Sequence, residues 1–362
     1  MKIKKSVLAL TFLFAGYAEA AKPPITVQHS FNSEIYTEAQ PIKAFLDDFD
    51  KPLESGDSAF TFNTFELGVK HMGVGVGVQS RFDYLLEFDP DTALYTHLEK
   101  NDLAFDERNY RYYLKGKQST THGVYISYDL QLLDKSILIA PKMTFFQSVH
   151  FQDGVVDGTV YSDEVKGALT TNYYFSKDVL FKEFTPAEKP KGKGYSFDLQ
   201  LAWQITETIK VSALIKDLIY EAEYEGAGFV NGFTTDIPFT ENNDGTISTS
   251  PTVQLNTSAY NRDITHTFEH DARYYFNLDY QFNERFAFEL ASRKYNQDVF
   301  NQLTAKYGFW NDWQAFAGFE THSKAYQFGV QNKYFSVSLK TDSFDFANAN
   351  YVNLSWAIKK DF

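Results

Sequence analysis

The chain ends on an alternating segment, residues 350–362, which reads Asn-Tyr-Val-Asn-Leu-Ser-Trp-Ala-Ile-Lys-Lys-Asp-Phe. Successive side chains of an extended strand point to opposite faces, so every second residue shares a face. The apolar residues of one face are Val352, Leu354, Trp356 and Ile358. Mostly polar or small residues occupy the other face, and the last residue is aromatic. The segment therefore predicts a β-strand with one apolar and one polar side.

This segment resembles the closing strand of Gram-negative outer-membrane β-barrels, which end in an aromatic residue preceded by alternating apolar positions. The resemblance implies that the barrel-assembly machinery reads the terminus. The residues that match the pattern are Leu354, Trp356, Ile358 and Phe362. Lys360 departs from it, since the family usually has an apolar or aromatic residue there. An edge strand of a soluble β-sandwich is the alternative interpretation.

The start of the chain reads as a secretory signal peptide. A lysine-rich beginning, a short apolar core over residues 7–14 and the small-x-small sequence Ala18-Glu-Ala20 fit that pattern. The apolar core is too short for a membrane-spanning helix, which needs about 20 residues. We therefore expect residues 1–20 to be removed and residues 21–362 to form one exported barrel domain.

Charge and cysteine content exclude several classes of function. Removal of the signal peptide changes the formal charge from −13 (34 − 47) to −15 (31 − 46). So acidic a chain is not expected to bind nucleic acid through a phosphate-neutralising patch. The chain contains no Cys, so neither a disulfide framework nor thiolate chemistry is available.

The aromatic content favours a membrane barrel over an exported soluble β-protein. Aromatic residues make up 17% of the chain, with 35 Phe, 24 Tyr and 4 Trp. Mean hydropathy is only −0.37, and no long apolar run follows the signal peptide, which argues against a helical membrane protein. In a transmembrane barrel the strands alternate apolar and polar residues, so mean hydropathy stays low while aromatic residues gather at the interfaces.

Strand-like segments follow one another from Phe60 to the end of the chain. Both ends of bacterial outer-membrane barrels face the periplasm, so the strand number is even and short turns lie on the periplasmic side. Placing the turns by this rule gives fourteen strands if residues 109–115 and 164–175 are external extensions. Sixteen strands is the alternative, and it requires the short turn at 134–135 to be external.

Three segments are predicted to lie outside the membrane. Apolar residues recur at helical spacing from Ile42 to Phe49 after Pro41, which predicts a short N-terminal helix. The helix is assigned to an external loop, and a plug at the barrel mouth is the alternative. Residues 89–106 are charged and irregular, which predicts an outer loop. Residues 224–263 are rich in Gly, Asn, Thr and Ser and predict the largest loop.

The polar faces of the strands are predicted to line the lumen, where such residues are tolerated. The charged residues assigned to the lumen or its constriction are Arg81, Asp83, Asp129, Asp198, Arg273, Asp279, Glu289, Arg293 and Lys340. Two interpretations remain open. Opposite charges could pair across a narrow lumen and satisfy one another, or they could form a constriction that selects solutes by charge.

Two tryptophans flank a predicted periplasmic turn. Trp310 and Trp313 enclose Asn311-Asp312. Indole favours the headgroup boundary because its ring is apolar while its N–H needs a partner. We therefore expect this pair to belong to the inner aromatic girdle.

One local motif suggests an enzyme. His266-Thr-Phe-Glu-His270 matches the H-x-x-E-H pattern of inverted zinc metalloproteases. That chemistry needs a helix, whereas the flanking residues predict a strand, on which Glu269 points away from both histidines. The sequence therefore gives no catalytic residues, no metal site and no cofactor.

Together these features predict an all-β protein, an antiparallel transmembrane barrel of the outer membrane. Its partners are outer-membrane lipid and the assembly machinery, with no nucleic acid. The predicted function is a channel or uptake protein that passes small, polar solutes and is not an enzyme. The alternative is a surface-exposed structural or adhesion barrel with a closed lumen. Fatty-acid-type transporters share the strand number but need a hydrophobic lumen pocket, and the inward Asp and Arg residues argue against one.

Overall fold

The structure is a computed structural model. It describes residues 24–161, 167–180, 182, 184, 186, 189–234, 239–241, 247–249, 253–257 and 264–362. The signal peptide predicted for residues 1–20 lies outside these residues.

Most of the described chain is β-strand, with three short helices in the connections. The strands are β1 (Thr26–Thr37), β2 (Ser58–His71), β3 (Val74–Phe88), β4 (Asn109–Tyr128), β5 (Leu130–Leu132), β6 (Ile137–Tyr161), β7 (Gly167–Phe175), β8 (Lys191–Gln204), β9 (Ile209–Glu225), β10 (Gly228–Thr234), β11 (Phe239–Glu241), β12 (Ile247–Thr249), β13 (Val253–Thr257), β14 (His266–Glu269), β15 (Arg273–Gln281), β16 (Phe286–Tyr295), β17 (Asp298–Trp310), β18 (Trp313–Glu320), β19 (Tyr326–Gln331), β20 (Phe335–Thr341) and β21 (Tyr351–Asp361). The helices are α1 (Ile42–Leu46), α2 (Pro90–Lys100) and the 3-10 helix η1 (Phe346–Asn348).

Antiparallel pairing closes the sheet into a barrel. The order around the wall is β1, β2, β3, β4, β6, β8, β9, β15, β16, β17, β18, β19, β20 and β21, and β21 pairs back onto β1. The wall therefore has fourteen strands within the described residues. The prediction of fourteen is confirmed, and the alternative of sixteen is wrong.

The alternating segment at the end of the chain makes the closure. In the β1–β21 pair Phe31 lies opposite Trp356, and their rings stack at 4.2 Å between centroids. The main chains of Ile25 and Phe362 exchange two hydrogen bonds of 3.2 and 2.9 Å. Both polar edges of the sheet are thereby paired, which a bilayer requires because it offers the backbone no hydrogen-bond partners.

The outer face of the barrel is apolar. Leu278, Leu290 and Leu303 lie side by side on β15, β16 and β17, and the last two are 48% and 59% exposed. Leu67 of β2, Val76 of β3 and Ile126 of β4 are exposed on the same outer face. A continuous exposed surface of this kind is stable against lipid and unfavourable against water.

The two ends of the barrel differ in the length of their connections. Short turns lie at one end, together with both ends of the described chain, and define the periplasmic side by the usual rule. The opposite, external end is tall. Residues 109–115 are the outer part of β4, and β7 pairs with the outer part of β6, so both predicted external extensions are confirmed within the described residues. Residues 164–166 of the second extension lie outside them.

The external connections contain more regular structure than the sequence indicated. The predicted short helix is α1, in the loop between β1 and β2, and the N–H of Ile42 donates to the carbonyl of Ala349. The prediction of an irregular loop at 89–106 is wrong, since residues 90–100 form α2. The signal was present: the carboxylate of Asp89 accepts from the N–H of Asp91, and Pro90 sits at the first helical position.

The described part of the segment 224–263 contains more strand than a plain loop, and residues 235–238, 242–246, 250–252 and 258–263 lie outside the described residues. Its first residues complete β9, and β10, which follows, pairs with both β7 and β13. The polar composition of the segment masked this pairing, because the strands lie above the membrane and need no lipid-facing apolar side. Across the described residues, no helix has the length and apolar character needed to span a bilayer.

Arginine placed on the outer wall tests the lipid-facing assignment. Leu290→Arg puts a charge in the leucine row, and we expect it to destabilise the barrel by about 2–4 kcal/mol in lipid vesicles. Glu284→Arg, in the exposed turn between β15 and β16, is the matched control and should change the unfolding free energy little. Urea unfolding of both variants measures the difference, and equal values would contradict the assignment.

Candidate functional site in the barrel lumen

Four charged side chains meet in the middle of the lumen. Arg81 and Asp83 point inward because they alternate with the lipid-facing residues of β3, and Arg273 opens β15. Asp217 reaches them from β9. We call these four residues the inner charge cluster. Because β4, β6 and β8 separate β3 from β9 along the wall, contacts between Arg81 and Asp217 cross the interior.

A β-bulge brings Asp217 inward. The pairing of β8 with β9 shifts between Phe197 and Leu199, so that β9 contains extra residues at this point. Asp217 has φ 56°, a left-handed conformation that Asp tolerates better than most residues. Its N–H donates to Oδ1 of Asp198 at 2.9 Å, which fixes the bulge. Lys216 and Asp217 thus depart from strict alternation.

The inner charge cluster is dry, and its charges are paired. Arg81 donates to both carboxylate oxygens of Asp217, at 2.7 and 2.8 Å, and through Nε to Asp83 at 3.0 Å. Arg273 donates to Asp217 at 2.5 Å and to Asp83 at 3.2 Å. All four side chains are at most 7% exposed. Two arginines against two aspartates leave no net charge, so the desolvation of each ion is offset by its partners.

A second cluster of buried polar side chains connects other strands of the wall. Glu34 of β1 accepts from Arg293 of β16 at 2.5 Å, from the Tyr351 hydroxyl at 2.6 Å and from the Tyr295 hydroxyl at 3.2 Å. Strands β17 to β21 separate β1 from β16, so these bonds also cross the interior. We call these residues, with Glu320, the Glu34 cluster, because Glu320 lies 3.7 Å from Arg293. The carboxylate of Glu34 is buried and uses both of its oxygens.

Aromatic rings fill the space between and above the two clusters. The Arg273 guanidinium lies 4.4 Å from the centre of the Phe62 ring, which makes a cation–π contact. Phe62 in turn stacks on Phe60 at 4.8 Å and meets Tyr295 edge-on at 5.3 Å. Phe300 and Tyr351 belong to the same buried group. At mid-height the lumen is therefore occupied by side chains.

Below this level the lumen is wetter. Lys306 pairs with Glu289 at 2.5 Å and with Asp279 at 2.9 Å, and near the periplasmic turns Lys70 pairs with Asp129 at 2.6 Å. These side chains are 15–35% exposed. Charge pairs with access to water contribute little to stability, so these side chains are less constrained than those of the buried clusters. We call this lower part of the lumen the vestibule.

Glycines in the lower wall make room for a tyrosine. A Cβ on Gly68 would lie 2.0 Å from the Tyr125 hydroxyl, and one on Gly77 would lie 2.6 Å from the same ring. The Lys142 ammonium sits 5.1 Å above that ring and pairs with Glu66 at 2.5 Å. Gly68 of β2 and Gly77 of β3 therefore serve close packing at this level of the wall.

All nine charged residues predicted for the lumen have a place in these groups. Eight of them form ion pairs, and the ammonium of Lys340 lies 5.4 Å over the Tyr351 ring. The structure separates them by height: Asp129, Asp279 and Glu289 lie in the vestibule, and the others lie near the two dry clusters. At each of these eight residues an oppositely charged side chain lies within ion-pair distance, as the first of the two interpretations expects.

Several participants were missed by sequence reasoning. The principal ones are Glu34, Lys142, Asp217, Lys306 and Glu320. For Asp217 a signal existed, because Lys-Asp followed by Leu-Ile breaks the alternation of β9 and so marks a bulge. For Glu34 the signal is weak, because the alternation that begins at Ile25 is clear only to Phe31, whereas β1 continues six residues further to Thr37.

The histidines of the H-x-x-E-H segment do not converge. Residues 266–269 form a strand, as predicted. His266 contacts Asp153 at 2.9 Å and stacks on Tyr174, whereas His270 contacts the Ser119 hydroxyl at 3.1 Å. Each imidazole has its own partner, so the metalloprotease arrangement is not formed here.

A closed antiparallel barrel with an apolar outer wall and a charged interior defines an outer-membrane β-barrel protein of the porin-like kind. The apolar outer wall and the charged interior also fit the predicted location in the outer membrane. The class agrees with the resemblance noted at the final strand.

Comparisons with known proteins found distant structural similarity. No protein-family model matches the chain, and no curated protein matches it. Among solved structures, the chain is similar to the Pseudomonas putida toluene transporter TodX and the Ralstonia pickettii toluene transporter TbuX. Each is 10% identical with a TM-score of 0.43, over 95% of this chain and 90% of theirs. A deletion mutant of the monoaromatic hydrocarbon channel TodX gives a TM-score of 0.49 at 10% identity, over 94% of this chain and 91% of its own. These values assign no substrate to this chain.

Removal of one carboxylate from the inner charge cluster should lower the free energy of unfolding far more than removal of one from the vestibule. Asp217→Asn keeps the shape and the left-handed backbone but leaves two buried arginines with one aspartate. We expect a loss of about 3–5 kcal/mol. Asp279→Asn is the control; because its side chain is 35% exposed and Lys306 keeps Glu289, we expect a change within about 1 kcal/mol. Urea unfolding in vesicles compares them, and similar losses would contradict the burial of the cluster.

Proposed function

We propose that the chain is an outer-membrane channel for small, polar solutes, with the inner charge cluster and the Glu34 cluster as its constriction. One observation carries the proposal. Charged side chains line the lumen at two heights, partly exposed in the vestibule and buried at mid-barrel. This arrangement supports a polar path with a narrow charged constriction, and such constrictions are how channels select solutes.

The width of the barrel supports this function. Barrels of about eight strands fill their interior with side chains, and those of about sixteen leave an aqueous channel. Fourteen strands lie between these cases. Long side chains such as Arg81 and Arg293 meet partners from other parts of the wall, and together with the aromatic rings between the clusters they close the lumen. A polar path opens when these ion pairs break and the rings beside them move aside.

The composition of the constriction favours polar over apolar solutes. A solute that displaces the Arg81–Asp217 contact must offer hydrogen bonds to both ions, since buried unpaired charge is strongly unfavourable. A small molecule with donors and acceptors can do so, and a hydrocarbon cannot. Because the cluster carries no net charge, size and hydrogen bonding select the solute more than its charge does.

The rival is a structural or adhesion barrel whose lumen never opens. The tall external region of β7, β10 and the outer parts of β4 and β6 could present a binding surface. The two functions differ in one property, the passage of ions. Recognition of Leu354, Trp356, Ile358 and Phe362 by the assembly machinery is compatible with both and stays a prediction, as does the girdle role of Trp310 and Trp313.

Charge changes in the inner cluster should set the ion preference of the pore in opposite directions. Arg81→Gln leaves one arginine against two aspartates, so we expect cation preference. Asp217→Asn leaves two arginines against one aspartate, so we expect anion preference. The double variant is neutral again and should show neither. Reversal potentials in a salt gradient across planar bilayers measure this, after a heat-modifiability gel confirms folding.

Two controls sharpen the experiment. Glu207→Gln, in the exposed turn between β8 and β9, should leave the reversal potential unchanged. Discrete current steps whose reversal potential is the same in both charge variants would place the inner cluster outside the pathway. Absence of steps in the unmodified protein and in all folded variants would reject the channel and favour the closed barrel.

A further inference from the structure

Three side chains from distant parts of the chain meet at the outer rim of the barrel. Glu38 follows β1, Asp298 begins β17, and His322 lies in the connection between β18 and β19. One potential ligand atom from each lies within 4.8 Å of the others. The imidazole Nε2 of His322 is 3.0 Å from Oε1 of Glu38.

We propose that Glu38, Asp298 and His322 form a binding site for a divalent transition-metal ion, with Zn²⁺ the expected ion. Imidazole nitrogen and carboxylate oxygen are the donors that zinc accepts at about 2.0–2.2 Å. Three protein ligands with a fourth position left for water complete a tetrahedral site. The ligands need to approach by about an ångström, and two of the three lie in loops that can make this movement.

The carboxylate ligands are already oriented by second hydrogen bonds. Oε2 of Glu38 accepts from the N–H of Asp57 at 3.0 Å, while Oε1 accepts from the Tyr36 hydroxyl at 3.0 Å and faces His322. Oδ2 of Asp298 accepts from the Ser58 hydroxyl at 2.8 Å, which leaves its other oxygen for an ion. Such outer partners fix ligand geometry in metal sites and strengthen binding.

His322 is held in place by contacts of both its main chain and its ring. The N–H of His322 donates to Oε1 of the buried Glu320 at 2.6 Å. The ring meets Phe300 edge-on with 4.6 Å between centroids. Nε2 is thereby directed toward Glu38 and away from the aromatic group below it, which is the orientation that a shared ion requires.

The formal charges at the site favour a cation. Glu38 and Asp298 supply two carboxylates beside a single imidazole, and Asp57 lies next to Glu38, to which its N–H donates. The local field is therefore negative and attracts a metal ion.

The site has an entry path. A polar cavity of about 370 Å³ opens beside it, and Glu38 and His322 form part of its wall. Glu54 and Asp342 also line this cavity, with Lys324 as a basic neighbour. Carboxylates outnumber the lysine, so the cavity draws cations from the external side and has room for the water that completes the coordination shell.

Zinc titration of the mature full-length protein in detergent, without a polyhistidine tag, tests the site. We expect one Zn²⁺ per chain by isothermal titration calorimetry. His322→Gln and Asp298→Asn should each weaken affinity by at least about tenfold. His71→Gln, at the exposed periplasmic end of β2, is the control and should bind as the unmodified protein does. Affinity should fall with decreasing pH, because an imidazole binds the ion only in its neutral form.

Folding of every variant is confirmed by heat-modifiability on a gel, so loss of binding cannot be confused with loss of the barrel. X-ray absorption of the zinc complex should show one imidazole among oxygen ligands. Absence of saturable binding by the unmodified protein overturns the site. Binding that persists unchanged in both His322→Gln and Asp298→Asn overturns it as well.

Discussion

Closure of the sheet is the constraint on which everything else in this molecule depends. In a bilayer each backbone N–H and C=O must find a partner within the protein, and an open sheet leaves two rows unmatched. The pairing of β21 with β1 removes both rows at once. Closure fixes which face of every strand meets lipid and which meets the interior, and so it places Arg81, Asp83 and Arg273 in the lumen before any of them has a partner.

Once charged residues are inside, their pairing follows from the cost of leaving them alone. An ion taken out of water loses several kcal/mol unless a counter-charge and hydrogen bonds replace the solvent. At mid-barrel the replacement comes from across the lumen, through the β9 bulge at Asp217 and through Glu34. In the vestibule the pairs are more exposed and less constrained. The same barrel thus has tightly paired charges at mid-height and looser pairs nearer the periplasmic turns.

Much of this could be predicted from the sequence, because alternation is a local property. The closing strand, the strand number and the inward side of β3 all follow from which neighbours are apolar. Contacts across the lumen could not be predicted, since nothing local relates Arg81 to Asp217 or Glu34 to Arg293. The helix α2 was missed although Asp89-Pro90 marks its start, because the charged composition of the segment was given more weight than its cap. The three side chains at the outer rim, Glu38, Asp298 and His322, come from distant parts of the chain, so no local motif could reveal them.

The central claim is that one side of each strand contacts lipid while the other faces a polar interior. The chain has no Cys, so single cysteines can be introduced and spin-labelled without a background. Labels at successive positions of β17 from 301 to 306 should show collision with lipid-dissolved oxygen that alternates, high at 301, 303 and 305 and low at 302, 304 and 306. Accessibility without a period of two, or water-like accessibility at the odd positions, would contradict the account.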